Sequence, residues 1–548
     1  MRTVIDPYAI CLAYLEDSKG SLQESDYAFL LGSIRSRAYK NLVNPFRDVG
    51  REYRSAAECR VLSQVSAFFS KNDTFANEER CLASAKLAFL KSETLCRITN
   101  KRLLHFFRYP DRAPDIVKHH LRDIRKIVSN VLGDFDSFLE NIPEYISITS
   151  GATEETTRKR SRPYMKIRKR VSCTRGAMPY VDALYKFYTG TSATFRQVNC
   201  NRIVTVPKNS DTFRSIACEP AGNLPVQLAF DCFAKRRLKK FGINLSDQKH
   251  NQRLACQGSI DGSVCTIDLS MASDTLSLEL VPYLFDEKWT RFFLDCRSPY
   301  YKGVFGSGKY SKLSSMGNGF TFALETLVFY AIAKSLRPNT LAVYGDDIIT
   351  DAVLYDDTCA LLAYFGFTPN AKKSYHKGPF RESCGADFFN GSNIRPFFIR
   401  KTECTAPELC HIINGLVSVG DVGGSLWRLC RDLVSRYNLP LVPFNDSTLS
   451  GVFVHPHDAY ELGLIKLDKR GFLTFKGFQL SERTRPVKDG RGLIVWFLLV
   501  YGKSQRDAVS CSMVPVGDLR YRRRTLIWSD PYEAAPLSCY SWGTFLAA

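Results

Sequence analysis

Apolar residues recur at helical spacing through Ala57–Phe69 and Leu82–Leu95, and the first 150 residues alternate such stretches with charged loops. Another helix is expected from near Val226. Between 260 and 400 the pattern tightens. Ser263–Ile267 has the composition of a short strand that ends at Asp268, and Leu276, Leu280, Val281 and Leu284 then return at helical spacing. Phe320–Leu336 is a strongly apolar stretch interrupted by Glu325, which predicts a buried helix rather than a membrane span. Leu341–Tyr344 and Ile348–Val353 are β-rich runs joined by Gly345-Asp346-Asp347, a hairpin signature, and a helix is expected near Asp357–Phe365. Strand, helix, helix, hairpin and helix predict an α+β layer, an antiparallel sheet backed by helices on one face. Beyond residue 400 helical and turn segments mix without a recognisable motif.

Composition narrows this picture. The chain has 548 residues, 45% hydrophobic and 24% charged, enough for two or more subdomains around sizeable cores. A net charge of +20 attracts polyanions, of which RNA and DNA are the most general, although a merely solvated basic face is the plainer reading. The basic residues cluster at Arg158, Lys159 and Arg160 through Lys166 and Arg168, at Lys235, Arg236 and Arg237, and at Arg520 and Arg522–Arg524. The 18 cysteines include no C-x-x-C pair, so reduced, buried thiols are expected rather than a disulfide framework. His455 and His457 lack further close ligands for a zinc site. The first residues meet acidic side chains early, so no secretory signal is expected. The apolar run Leu493–Tyr501 is shorter than the roughly 20 residues a bilayer needs, and a soluble protein is expected.

Candidate chemistry lies in three segments: Thr266–Asp274 (TIDLSMASD), Ser314–Phe322 (SSMGNGFTF) and Val343–Ile349 (VYGDDII). A lone Gly-Asp-Asp is usually only a turn. Here apolar strands flank it, Asp268 ends a strand of its own, and the Gly317-Asn318-Gly319 loop lies between them. Nucleotidyl transfer needs an activated hydroxyl, a polarised phosphorus and a neutralised leaving group, which two Mg²⁺ ions supply together. Mg²⁺ is hard and is held by a few carboxylates plus substrate phosphates. Asp268 and Asp346 are the expected bridging ligands, with Asp347 auxiliary. One motif misleads: Gly303–Lys309 satisfies G-x-x-x-x-G-K, but Tyr310 follows where a Ser or Thr is required.

The order TIDLSMASD, SSMGNGFTF, YGDDII and FRESCGADFF (Phe380–Phe389) resembles the replicase catalytic subunits of the leviviruses, the small positive-strand RNA bacteriophages. The likeness extends through Thr205–Pro220 and Asn251–Ser263 and is best over roughly 200–400. It implies a right-hand polymerase: residues 1–258 mainly fingers and N-terminal region, 259–400 palm with part of the fingers interleaved near 290–315, and 401–548 thumb and C-terminal region. It implies that Asp274 reads the ribose 2′-hydroxyl with help from Asn318, in a loop shaped by Ser314, Ser315 and Gly317. Lys208 and Arg214 match the motif that grips the triphosphate. Asp211 and Phe213 depart from it, standing where related chains carry Lys and Asp. Lys373 fits the lysine that protonates pyrophosphate, with Lys372 as its alternative.

The expected activity is therefore RNA-dependent RNA synthesis from nucleoside triphosphates, using two Mg²⁺ ions or Mn²⁺ in their place. The basic clusters would hold the RNA template by its backbone. The resemblance also implies host partners, elongation factors Tu and Ts and a ribosomal RNA-binding protein, in the cytoplasm of an infected bacterium. Two rival readings remain. A reverse transcriptase would place an aromatic side chain where Asp274 stands, and a non-catalytic RNA-binding protein would bind RNA without using its aspartates.

Overall fold

The computed structural model describes residues 3–43, 53–149, 151–157, 166, 170–443, 447–454, 456–467 and 469, and strands at 473–481, 484–486, 513–515 and 520–527. Leu493–Tyr501, His455 and the side chains of His457 and Arg520–Arg524 lie outside this description. Every cysteine among the described residues is a free thiol. No helix among them is long and apolar enough to cross a membrane.

A three-stranded antiparallel sheet forms the centre. Strand Asp347–Asp351 lies in the middle, with Leu341–Tyr344 on one side and Val264–Ile267 on the other. Cys265, Ile267, Val343 and Ile348 belong to the largest core, with the helices Thr321–Ser335 and Tyr355–Tyr364. Val264, Ala342 and Ile349 face the other way, into a smaller core with Ala255 and, at its edge, Leu254 and Phe388. The sheet is thus covered on both faces, not on one as expected. The helix Lys249–Asp261 and the hairpin Phe380–Ser383/Ala386–Phe389 close the second face. Two-sided burial explains why Val264–Ile267 is apolar or small at every position instead of alternating.

The hairpin turns over two residues, since Tyr344 already pairs with Asp347. Gly345 takes φ +62°, a conformation that L side chains resist, and a Cβ there would come within 2.5 Å of the Phe322 ring. This glycine lets the helix Thr321–Ser335 pack hard against the turn that carries Asp346.

A second sheet runs Phe213–Cys218, Cys200–Pro207, Tyr300–Gly303, Gly306–Lys309. The apparent phosphate-loop motif is the turn and second strand of this terminal hairpin, and the buried Tyr310 that follows bonds Asn201 through its hydroxyl. No helix opens there, so the motif has lost the context its chemistry needs.

The helix Glu78–Arg108 buries one stripe, Cys81, Ala85, Phe89, Glu93, Cys96, Thr99 and Leu103, at the spacing of a single helical face. Helices Pro7–Asp17, Glu24–Arg35 and Ala56–Ser70 share a core with Ala406–Val417 and Ser425–Arg436. Thr3–Val4 pairs with Glu403–Cys404, and Asp17 caps the first turn of Ser425–Arg436, accepting from the amides of Ser425 and Leu426 at 2.6 and 3.0 Å. The helices Pro7–Asp17, Glu24–Arg35 and Ala56–Ser70 are therefore joined through one core to helices more than 300 positions later in the chain.

Candidate active site

Antiparallel pairing sets Ile267 opposite Ile348. Asp268, the next residue, therefore comes up beside Asp347 at the mouth of the hairpin, with Asp346 on the turn. The segment after residue 369 is stitched to Asp268. Asn370 donates from Nδ2 to Asp268 Oδ2 at 2.9 Å, its amide bonds the Asp268 carbonyl at 2.9 Å, and the Asp268 amide reaches Ser374 Oγ at 3.2 Å. Burial pushes the Asp268 carboxyl up, Lys373 and Asn370 pull it back, and Asp346 adds to the rise. Burial, then Asp346 and Asp268, push Asp347 up to about 7. Mutually repelling, half-buried carboxylates form a donor set whose repulsion a hard divalent cation relieves. Among the described residues no three acidic, His or Cys side chains form a ready-made metal cage.

Lys208 and Arg214 sit on the hairpin of the second sheet, beside the strand ends Pro207 and Phe213. Its tip is anchored by the Ser210 amide on the Ser70 carbonyl at 2.9 Å. Burial of the Lys208 ammonium, then Arg214 and Lys373, lower its pKa, while Asp268 and Asp346 raise it. Lys208 thus lies within electrostatic reach of Asp268 and Asp346, with Arg214 beside it. Asp211, the departure from the related pattern, pairs with Arg80 at 2.9 Å. The motifs gave no sign of Lys71: its ammonium lies 3.6 Å from the Phe398 ring centroid, and burial, Arg395, Arg400 and Lys373 push its pKa down to about 8.

Asp274 closes the short turn Ala272–Asp274 and accepts from Lys312 Nζ at 2.8 Å. Gly317 takes φ +99°, and a Cβ there would meet the Ala217 carbonyl oxygen at 2.5 Å, so the loop lies directly on the strand bearing Arg214. Ser315 and Asn318 are buried beside Lys312 in a small polar recess. Asn318 Oδ1 is occupied by the Phe320 amide at 3.2 Å. Glu325 was legible only as an interruption in an apolar helix. It accepts from Ser273 Oγ at 2.8 Å, and burial, then Asp346 and Asp274, push it up to about 8. A buried carboxyl coupled to both acidic motifs is therefore a further member of the site.

The sequence matches the family model for the RNA replicase beta-chain over residues 45–444. The chain belongs to the RNA replicase beta-chain family. It is 37% identical over 462 residues to the RNA-directed RNA polymerase beta chain of Escherichia phage MS2, covering 78% of this chain and 80% of that one. It is 34% identical over 452 residues to the RNA-directed RNA polymerase subunit beta of Qbeta virus (strain MX1), covering 78% and 75%. Among solved structures, one described as an RdRp complex aligns with 72% of this chain and 38% of its own at 12% identity, with a TM-score of 0.37. The replicase is an RNA-directed RNA polymerase, an enzyme of the nucleotidyltransferase class. Its relatives bear the names of one subunit of a larger assembly.

The basic residues of this replicase beta-chain divide into different kinds. Arg158, Lys159, Arg160 and Arg168 lie outside the described residues. Lys166 differs from expectation: it is 5% exposed and donates to the Thr149 carbonyl, and burial lowers its pKa to about 8, so it is not a surface phosphate contact. Arg237 also has a structural task, donating to the carbonyls of Val131 and Asn130 at 2.6 and 3.0 Å at the end of the helix Asp115–Leu132. Lys235 pairs with Asp231 at 2.6 Å and lies 5.5 Å from the Phe322 ring. Arg236 is exposed, over Tyr145 at 5.0 Å. A run of like charges in sequence is divided by helix geometry between helix-end carbonyls, an ion pair and solvent.

The raised Asp347 has a consequence for stability. Its folded pKa of about 7 exceeds the ordinary carboxylate value near 4, so between these the folded chain keeps a proton that the unfolded chain releases. The stability it contributes is full in acid and lost as pH rises through about 7. In metal-free buffer the thermal midpoint of the wild type is expected to fall by several degrees, relative to Asp347→Asn, between pH 5 and 8. Scanning calorimetry checks this, and parallel curves would contradict it.

Proposed function

We propose that the chain copies single-stranded RNA by nucleotidyl transfer at Asp268, Asp346 and Asp347. The observation that carries this reading is the strand pairing that sets Asp268 beside the Asp346 turn, with Lys208 facing both. Asp268 and Asp346 would hold divalent cations, with Asp347 auxiliary. Magnesium, or manganese in its place, when bound supplies positive charge to the reacting phosphate and lowers the pKa of the attacking hydroxyl. Lys208 and Arg214 bind the triphosphate and offset charge on the leaving group. Lys373 is favoured over Lys372 as proton donor to pyrophosphate, because its charge acts directly on Asp268 while Lys372 is exposed. Asp274 accepts the ribose 2′-hydroxyl, beside a loop formed by Ser315, Gly317 and Asn318. Of the basic residues expected to hold RNA, Arg236 is described and exposed, and it would contact template phosphate.

On this reading the central sheet is the palm, residues 259–400, and the sheet bearing Lys208 belongs to the fingers. The module joining the N-terminal helices to Ala406–Val417 and Ser425–Arg436 includes the thumb. The subunit would act in the cytoplasm of an infected bacterium with elongation factors Tu and Ts and a ribosomal RNA-binding protein. A primer-free assay on a defined RNA template, with and without bacterial lysate, tests the reading. Incorporation of NTPs is expected. Incorporation of dNTPs instead would favour reverse transcription, and no product in either arm would overturn the proposal.

A further inference from the structure

Lys312 is a lysine with no exposed side-chain surface, an unusual state for this residue type. A buried ammonium has to be paired. Its Nζ donates to Asp274 Oδ1 at 2.8 Å, stands 3.6 Å from Glu93 Oε1, and lies 4.4 Å from the ring centroid of Phe89. Glu93 and Phe89 both come from the buried stripe of the helix Glu78–Arg108.

The backbone around Lys312 is fixed from several sides. The Ser311 amide donates to Glu93 Oε2 at 2.7 Å, and Asn100 Nδ2 donates to the Ser311 carbonyl at 2.7 Å. Arg297 Nη2 donates to the Lys312 carbonyl at 3.1 Å, and the Leu313 amide bonds the Leu276 carbonyl at 2.7 Å. The ammonium is therefore held at a set position relative to the strand and turn that deliver Asp274. Anchoring Oδ1 fixes the plane of the Asp274 carboxylate. Oδ2 has no hydrogen bond to a described residue, and the side chain keeps 17% of its surface open.

We propose that Lys312 is a positioning residue for sugar selection: it pins one oxygen of Asp274 so that the other is presented to the ribose 2′-hydroxyl. Glu93 holds the lysine in place and links the long helix to this choice. This rests on the reading of Asp274 given above. A site preorganised to bond a hydroxyl discriminates against the sugar lacking it, and a carboxylate free to swing discriminates less.

The test compares kcat/KM for an NTP and for its dNTP on one RNA template in wild type, Lys312→Met, Lys312→Arg and Asp274→Ala. Lys312→Met is expected to lower the NTP/dNTP ratio by roughly tenfold or more, in the direction of Asp274→Ala. Lys312→Arg, which keeps the charge but not the shape, is expected to lower it as well, and it carries the test if the Met variant does not fold. A purely structural role lowers both rates together and leaves the ratio unchanged. An unchanged ratio in the lysine variants, with a lowered one in Asp274→Ala, overturns the role of Lys312 alone. An unchanged ratio in Asp274→Ala overturns the reading of Asp274, and this proposal with it.

Discussion

Asp346→Asn is expected to abolish RNA synthesis while RNA binding stays near the wild-type level. The substitution keeps the size of the side chain and the two-residue turn, so the sheet and its helices have no reason to move. It removes one negative charge at the point where Asp268, Asp347, Glu325 and Lys208 all sense Asp346. The loss in kcat should be on the order of 10³-fold or more, the scale found when preorganised charge stabilisation is removed from a reacting centre. Asp347, Asp268 and Glu325 should at the same time become easier to ionise, because a repelling neighbour has gone. Single-turnover extension on a defined RNA measures the first effect, and filter binding with the same RNA measures the second. A variant that still synthesised RNA would remove Asp346 from the mechanism. Equal loss of binding and synthesis would point to a folding defect.

Asp274→Ala is expected to change which sugar is accepted more than how fast the preferred one reacts. Sites built to bond a hydroxyl reject the analogue without it by roughly 10⁴-fold, so removing the acceptor should lower the NTP/dNTP ratio by about a hundredfold or more. Glu93 remains to pair Lys312 in the variant, which limits the damage to the fold. Competitive incorporation of an NTP against its dNTP reads the ratio directly.

The central sheet was legible because its signals are local. An apolar run ending at Asp268, a Gly-led turn and a strongly apolar helix each fix one element, and the strand order follows from their pairing. The covering of the second face was not legible, because the helix Lys249–Asp261 is largely polar in sequence and its few buried residues give a weak stripe. The union of the N-terminal helices with Ala406–Val417 and Ser425–Arg436 depends on contacts some 400 positions apart, such as Asp17 with Ser425, for which no periodicity carries a signal. Charge was the least legible property. Lys166, Arg237 and Lys312 have the same formal charge as Arg236, yet the first three are consumed by Thr149, by helix-end carbonyls and by Asp274. Glu325 was hidden for the converse reason: one acid in an apolar helix gives no hint that it faces two acidic motifs.

The account depends on divalent cations being held between Asp268 and the Asp346 turn. Titration of Mn²⁺ by electron paramagnetic resonance, with RNA and a non-hydrolysable NTP bound, measures this directly in wild type, Asp268→Asn and Asp346→Asn. Two bound ions are predicted for the wild type, with both variants losing at least one. Equal Mn²⁺ binding by all three proteins would contradict it.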